Sequence, residues 1–307
     1  MDGIFFLILA FLTAFSSVKL SYYGDILGKE SKLGSALVGG ILIASITSLP
    51  EFITSISAVL INNPSLSFGD ILGSNMFNIF IIAIFNLYFF RKNIFNSLSK
   101  SYKVECLILI IEYLLIIVSG IMNNKNIITF LLFISYIIYA ISIVKNNNEE
   151  SINNIKKSNP FIKFIILSIA LIILSSLLTI EADRITRLYP KISSSSVGAI
   201  LLGITTSLPE VVSTFTLIKL NNIDMAISNI LGSNIFNFLV LAFSDLFLKK
   251  NHIFTYIDNY SNMYLFGGLF IMILLVLAIY NRKRIFSFIL TMSMIFIYLI
   301  VWYFQFR

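Results

Sequence analysis

Residues 38–51 read Val-Gly-Gly-Ile-Leu-Ile-Ala-Ser-Ile-Thr-Ser-Leu-Pro-Glu, and residues 197–210 read Val-Gly-Ala-Ile-Leu-Leu-Gly-Ile-Thr-Thr-Ser-Leu-Pro-Glu. A second pair of boxes reads Ile-Leu-Gly-Ser-Asn-Met-Phe-Asn at 71–78 and Ile-Leu-Gly-Ser-Asn-Ile-Phe-Asn at 230–237, separated by the same 159 positions. Two ungapped matches at one offset are not expected by chance. The chain therefore contains an internal duplication.

The composition around these boxes indicates a membrane protein. Of the 307 residues 58% are hydrophobic and only 12% are charged, which excludes an ordinary soluble enzyme. Apolar stretches long enough to cross a bilayer, or nearly so, predict ten transmembrane helices. They lie at about 4–22, 34–61, 66–90, 104–121, 127–144, 161–180, 193–220, 225–248, 262–281 and 285–304. The predicted fold class is an all-α polytopic membrane protein.

Five predicted helices separate equivalent positions of the duplication, so the two copies enter the membrane from opposite sides. This is an inverted-topology repeat, an arrangement typical of alternating-access transporters. The first five-helix repeat is predicted at 1–145 and the second at 161–307, joined by a polar linker at 146–160. The repeated boxes extend over 38–56 and 68–85 in the first repeat, and over 197–215 and 227–244 in the second.

The distribution of basic residues predicts the orientation. Joints after odd-numbered helices carry fifteen lysines and arginines, and the opposite side carries seven. Because short cytoplasmic loops are enriched in such residues, we expect a multi-pass protein of the cell membrane, with the linker in the cytoplasm and both termini outside. This topology accounts for the net charge of +7, and no nucleic-acid partner is expected.

Each first box places a proline inside an apolar helix. Pro50 and Pro209 lack the backbone N–H that would pair with the carbonyls of Ile46 and Thr205, so helices 2 and 7 are predicted to be broken. At bilayer depth a broken helix is tolerated only where it faces protein or a polar cavity. The breaks in helices 2 and 7 therefore predict a polar site within the membrane.

Glu51 and Glu210 directly follow these prolines. An ionised acid at the centre of a span costs about 2.5–3.5 kcal/mol, and no lysine or arginine is predicted at comparable depth. Bound cations or protons must then supply the counter-charge. One divalent or two monovalent cations can neutralise two carboxylates, so the ions compete for one site, as antiport requires. The surrounding oxygen donors suit Ca²⁺, Na⁺ or Mg²⁺.

The other acids and the reactive side chains are given smaller roles. Asp70 lies one turn before Ser74, but its repeat partner is the neutral Asn229, so we expect it behind the site or at its entrance. Glu105 and Glu112 have no counterpart in the second repeat, so a peripheral role or a local partner is expected for them. The single cysteine, Cys106, and the single histidine, His252, exclude disulfides, zinc sites and Ser/His pairs. We expect neither an enzyme nor a cofactor.

At its boxes the sequence resembles the cation/Ca²⁺ exchanger superfamily, in particular the compact prokaryotic sodium/calcium exchangers. The resemblance rests on Thr-Ser-Leu-Pro-Glu at 47–51 and 206–210 and on Gly-Ser-Asn-x-Phe-Asn at 73–78 and 232–237. It implies exchange of Ca²⁺ for Na⁺ at a site between helices 2, 3, 7 and 8, with helices 1 and 6 sliding across this core. Carried over by position, the ion ligands are Glu51, Glu210, Thr47, Thr206, Ser74, Ser233 and the carbonyls of Ala44 and Gly203, with Ser48, Ser207, Asn78 and Asn237 lining the same cavity.

Two departures from the resemblance leave the coupling ion open. Similar exchangers often carry Asp where Asn237 stands, and related proton-coupled Ca²⁺ exchangers keep the two glutamates beside neutral amides. The glycine usual before Thr-Ser is replaced by Ile46 and Thr205. Exchange of H⁺ for Ca²⁺, or transport of another divalent cation, is therefore the alternative, and a cation channel is a remote one. We expect the protein to act as a monomer in the lipid bilayer.

Overall fold

The computed structural model describes residues 2–30, 41, 44–89, 94–98, 102–122, 124–145, 160–248, 251–281 and 283–305. Within these ranges the chain is helical and has no β-strand. The first half contains α1 (Asp2–Glu30), α2 (Ala44–Thr47), α3 (Leu49–Leu60), α4 (Pro64–Tyr88), α5 (Lys103–Ser119) and α6 (Asn126–Lys145). The second half contains α7 (Pro160–Leu188), α8 (Ser194–Val197), α9 (Gly203–Thr206), α10 (Leu208–Lys219), α11 (Ile223–Phe247), α12 (Asn259–Tyr280) and α13 (Arg284–Phe304). A π-helical segment, Gly198–Leu202, joins α8 to α9. Except for Pro160, the predicted linker lies outside the described residues.

The two halves repeat their helix boundaries at the 159-residue offset of the sequence boxes. The offset relates α3 to α10, α4 to α11, and the 3₁₀ helix Ile94–Ser97 to Ile253–Tyr256. The turns between the half-helices and the long helices are also alike, because Asn62 and Asn221 have positive φ angles of 62° and 59°. Asparagine tolerates this left-handed conformation better than most residues. Asn63 and Asn222 then cap the helices that follow.

Seven described helices are long and apolar enough to cross a bilayer, namely α1, α4, α6, α7, α11, α12 and α13. The pair Ser194–Thr206 and Leu208–Lys219, bent by 42°, makes an eighth if it forms one span. α5 has only 17 residues, and the predicted second span lies partly outside the described residues. The count of ten spans therefore stays a prediction.

α1 and α7 extend beyond the predicted spans at 4–22 and 161–180. α7 continues to Leu188 through a polar turn. Arg187 forms an ion pair with Asp183 at 2.7 Å, and Arg184 forms one with Glu181 at 3.8 Å. Such pairs one turn apart stabilise a helix in water, beyond the apolar stretch that hydropathy detects.

α4 and α11 form the centre of the fold. Their apolar windows are 72% and 78% buried, whereas that of α7 is 17% buried. α12 and α13 pack on α4, and α5 and α6 pack on α11, so each central helix is covered by the other half. α1 packs against α7 on the flank.

Gly73 allows α4 to approach the π-helical segment, since an added Cβ would lie 2.4 Å from Cα of Ala199.

Candidate ion-binding site

The helix breaks place both glutamates of the duplicated boxes at the start of a new helix. Ser48 and Ser207 stand immediately before α3 and α10, yet neither hydroxyl caps its own helix. The prolines occupy the second helical position, where a missing N–H leaves no bond unmade. Glu51 and Glu210 occupy the third position, where the helix dipole stabilises a negative charge. Both side chains are fully buried.

The serines connect the two repeats. Ser48 Oγ donates to Glu210 Oε1 at 2.8 Å, and Ser207 Oγ donates to Glu51 Oε1 at 3.0 Å. Because each serine precedes the glutamate of its own repeat by three residues, both bonds cross from one repeat to the other. Glu210 Oε1 also accepts a bond of 3.3 Å from Ser233. The duplicated boxes thus meet around the two carboxylates.

Four oxygens of the site have no hydrogen-bond partner within the described part of the chain. They are Oε2 of Glu51 and Glu210 and Oδ1 of Asn78 and Asn237, two pairs related by the repeat. A buried polar atom left unpaired costs about 1–3 kcal/mol. No described lysine or arginine forms an ion pair with either glutamate. The unpaired oxygens are therefore free to act as cation ligands.

Two further asparagines, which the sequence reasoning did not assign to the site, position Asn78 and Asn237. Asn75 and Asn234 each donate to the other's backbone carbonyl, at 3.2 and 3.0 Å. Their side-chain oxygens accept bonds of 2.9 Å from Asn237 and Asn78 respectively. These bonds occupy the amide nitrogens of Asn78 and Asn237 and leave their oxygens available. The signal was present, because Asn75 and Asn234 belong to the duplicated Gly-Ser-Asn boxes.

The expected carbonyl ligands lie beside the expected hydroxyl ligands. Thr47 Oγ1 and Ser233 Oγ lie 3.1 and 3.5 Å from the carbonyl oxygen of Ala44, and 3.4 Å from each other. The equivalent bond, related by the duplication to that of Ser233 with Ala44, runs from Ser74 Oγ to the carbonyl of Gly203 at 3.3 Å. A cation entering between them would meet oxygen atoms from both repeats.

Thr206 departs from this symmetry. Its hydroxyl donates to the carbonyl of Leu202 at 2.9 Å and lies 3.4 Å from Asp70 Oδ1. Asp70 also accepts bonds from Thr54 at 2.5 Å and Ser55 at 3.4 Å, and it is fully buried. Asp70 thus connects α3 and α9 and forms no hydrogen bond with either glutamate within the described part of the chain, so its role behind the site or at an entrance stays a prediction.

The described ranges contain no group of three or more His, Cys, Asp or Glu side chains that could hold a metal ion. The candidate site instead combines two carboxylates with hydroxyl, amide and carbonyl oxygens, which suit hard cations such as Ca²⁺ and Na⁺. Glu112 lies apart from it and accepts a bond of 2.6 Å from Ser135, the local partner that was expected.

The sequence profile of the family described as "Sodium/calcium exchanger protein" matches residues 3–145 and 160–307. The chain belongs to this exchanger family. This exchanger is 30% identical over 228 residues to the uncharacterized membrane protein MJ0091 of Methanocaldococcus jannaschii, covering 70% of this chain and 74% of that protein. The family is one of transporters and not of enzymes.

Two solved structures show the fold of this exchanger. The sodium-calcium exchanger NCX_Mj matches with a TM-score of 0.64 at 23% identity, covering 97% of this chain and 96% of that one. YfkE matches with a TM-score of 0.70 at 15% identity, covering 99% and 91%. The exchanger is therefore a multi-pass membrane protein with the NCX_Mj fold.

Proposed function

We propose that the protein is a secondary active antiporter that exchanges Ca²⁺ for Na⁺ by alternating access at the two-glutamate site. The observation that carries this proposal is the reciprocal pair Ser48–Glu210 and Ser207–Glu51, which leaves one oxygen of each buried carboxylate unpaired. One Ca²⁺ or two Na⁺ ions neutralise the same two charges. The two ions therefore compete, and binding of one replaces the other.

In this proposal the ions replace the weak hydrogen bonds within the site. The two hydroxyl–carbonyl clusters, at Ala44 and at Gly203, have bonds of 3.1–3.5 Å that ion contacts can replace at little cost. The proposed ligands are Glu51, Glu210, Thr47, Thr206, Ser74, Ser233 and the carbonyls of Ala44 and Gly203, with Ser48, Ser207, Asn78 and Asn237 lining the cavity. All come from one chain, so a monomer suffices.

The proposed architecture has ten spans arranged as two inverted five-helix repeats, 1–145 and 161–307, with both termini outside and the linker in the cytoplasm. α1 and α7 are the proposed moving pair. They pack on each other and on the half-helices, through contacts of α1 with α10 and of α7 with α3. Because they cover the half-helices from the flank, their sliding would expose the site to one side and then to the other.

Exchange of Ca²⁺ for H⁺ is the second candidate. Asn237 favours it, because an amide at this position leaves only the two glutamates as acids among the four unpaired oxygens. Two protons neutralise two carboxylates as well as two Na⁺ ions do. The two candidates thus share a site and differ in the coupling ion.

Flux measurements in proteoliposomes distinguish Na⁺-coupled from H⁺-coupled Ca²⁺ exchange. An outward Na⁺ gradient, imposed at equal pH with a protonophore present, is expected to drive ⁴⁵Ca²⁺ uptake. If uptake instead follows a pH gradient in Na⁺-free buffer and ignores Na⁺, the proton-coupled candidate replaces the first. Single-channel Ca²⁺ currents without counterflow would refute both.

A further inference from the structure

A groove of about 270 Å³ lies between α1 and α7, away from the glutamate site. Its lining residues are Lys19, Tyr23, Lys163, Ile166 and Leu167. The C-terminal part of α1 supplies the first two, and the N-terminal part of α7 supplies the other three. Ile166 is 60% exposed, on a helix whose apolar window is only 17% buried. The groove therefore opens toward the surface that faces lipid.

Both lysines lie where an apolar span ends. Lys19 is next to the last residue of the apolar segment Gly3–Leu20, and Lys163 is near the start of the apolar part of α7, which begins at about Phe161. An ammonium group at the end of a hydrocarbon-length segment lies at the depth of the lipid headgroups. The proposed orientation places this end on the cytoplasmic side, the leaflet that carries anionic lipids.

The two ammonium groups contact aromatic rings. Lys163 Nζ lies 5.5 Å above the ring of Tyr23, and Lys19 Nζ lies 5.6 Å above the ring of Phe15. These cation–π contacts hold the side chains against the helix pair without neutralising their charge. No carboxylate among the described side chains lies within ion-pair distance of either lysine. Within that part of the chain, two lysines from different helices thus border one apolar groove without an ion pair.

In a bilayer the natural occupant of a lipid-facing groove is a lipid, and the two lysines select its charge. We propose that the groove binds an anionic phospholipid, with the headgroup phosphate between Lys19 and Lys163 and an acyl chain along Ile166 and Leu167. The lipid bridges α1 and α7 and relieves the repulsion between their lysines. Binding does not depend on which ion the exchanger couples to Ca²⁺.

Native mass spectrometry of the purified full chain tests this binding. Phosphatidylglycerol and phosphatidylcholine with identical acyl chains are titrated in turn, and the fraction of lipid-bound protein gives each Kd. We expect phosphatidylglycerol to bind at least tenfold more tightly. Lys19→Gln and Lys163→Gln should each weaken its binding about fivefold, and the double variant about 30-fold, as expected for loss of one and two basic contacts.

Lys219 supplies a matched control. It also lies on the predicted cytoplasmic side and stacks at 4.4 Å on the ring of Phe215, but it is not one of the residues that line the groove between α1 and α7. Lys219→Gln removes the same charge and should leave the Kd for phosphatidylglycerol unchanged. The double variant Lys19→Arg and Lys163→Arg keeps both charges and should keep the binding.

Three results would overturn the proposal. Equal affinity for the two lipids would show an unselective groove. An equal loss in the Lys219→Gln variant would show a general effect of net charge. Unchanged phosphatidylglycerol binding in the folded double glutamine variant, checked by its thermal unfolding, would place the lipid elsewhere.

Discussion

The hydroxyl of Ser48 donates a hydrogen bond of 2.8 Å to Glu210, although 162 residues separate the two in the chain. The duplication provides the same bond in reverse, from Ser207 to Glu51. Each half-helix therefore depends on the other repeat to satisfy its carboxylate. This reciprocity makes the two glutamates parts of one site.

Removing the serine hydroxyls should destabilise the ion-free protein symmetrically. Each substitution leaves a buried carboxyl oxygen without this donor, which costs about 1–3 kcal/mol, so Ser48→Ala and Ser207→Ala should lower the free energy of unfolding by similar amounts in that range. Thermal unfolding in detergent with a chelator measures the effect. Ser168→Ala, which removes only a bond to a carbonyl of its own helix, is the control and should change little. Loss in one variant alone would contradict the reciprocal site.

Asp70→Asn should leave a folded, active transporter. Asn229 already occupies the equivalent position in the second repeat and bonds to Thr214 at 3.4 Å, so an amide fits this environment. Because Asp70 contacts Thr206 and neither glutamate, its charge acts only through the local field, and we expect Ca²⁺ affinity to fall roughly two- to tenfold. The rate of ⁴⁵Ca²⁺ flux, measured against Ca²⁺ concentration, gives the apparent Ca²⁺ affinity of the variant and of the unmodified protein. Complete loss of transport would make Asp70 a direct ligand.

Asn237→Asp should keep transport and shift its Na⁺ or pH dependence. The amide nitrogen of Asn237 donates to Asn75 Oδ1 at 2.9 Å, so a carboxylate there would face an acceptor unless a proton or a cation lies between them. The new acid therefore needs a positive partner that the amide does not. Flux measured against Na⁺ concentration at several pH values detects the shift. Profiles identical to those of the unmodified protein would remove Asn237 from the site.

Gly73→Ala should disrupt the packing of α4 against the π-helical segment. The added Cβ would lie 2.4 Å from Cα and 2.5 Å from the carbonyl oxygen of Ala199, and neither backbone atom can move alone. Overpacking typically costs about 1–3 kcal/mol, and a clash with backbone atoms should lie at the upper end of that range. Thermal unfolding measures the loss. Gly120→Ala, whose Cβ would meet only Ile117 O at 3.5 Å, is the control, and equal stability of both variants would contradict the close approach.

The sequence predicted the elements that the duplication and elementary chemistry determine. The 159-residue offset reappears in the boundaries of α3 and α10, where the same Leu-Pro-Glu begins both helices, and of α4 and α11, where an asparagine caps both. The burial of Glu51 and Glu210 followed from their position in apolar segments.

Other features could not be predicted because they depend on distant partners. Asn75 orients Asn237 across the central helix pair, and one sequence does not show which amides meet. The π-helical segment Gly198–Leu202 has the composition of an ordinary apolar helix. The extension of α7 to Leu188 depends on ion pairs outside the apolar stretch that hydropathy measures.

The most direct test of the two-glutamate site is a calorimetric Ca²⁺ titration of the purified protein and of its Glu51→Gln and Glu210→Gln variants. Glutamine keeps the size and an oxygen for the bridging serine but removes the charge, so both variants should fold. We expect one Ca²⁺ per chain in the unmodified protein and no measurable binding or ⁴⁵Ca²⁺ flux in either variant. Ca²⁺ binding of undiminished affinity in either folded variant would contradict the two-glutamate site.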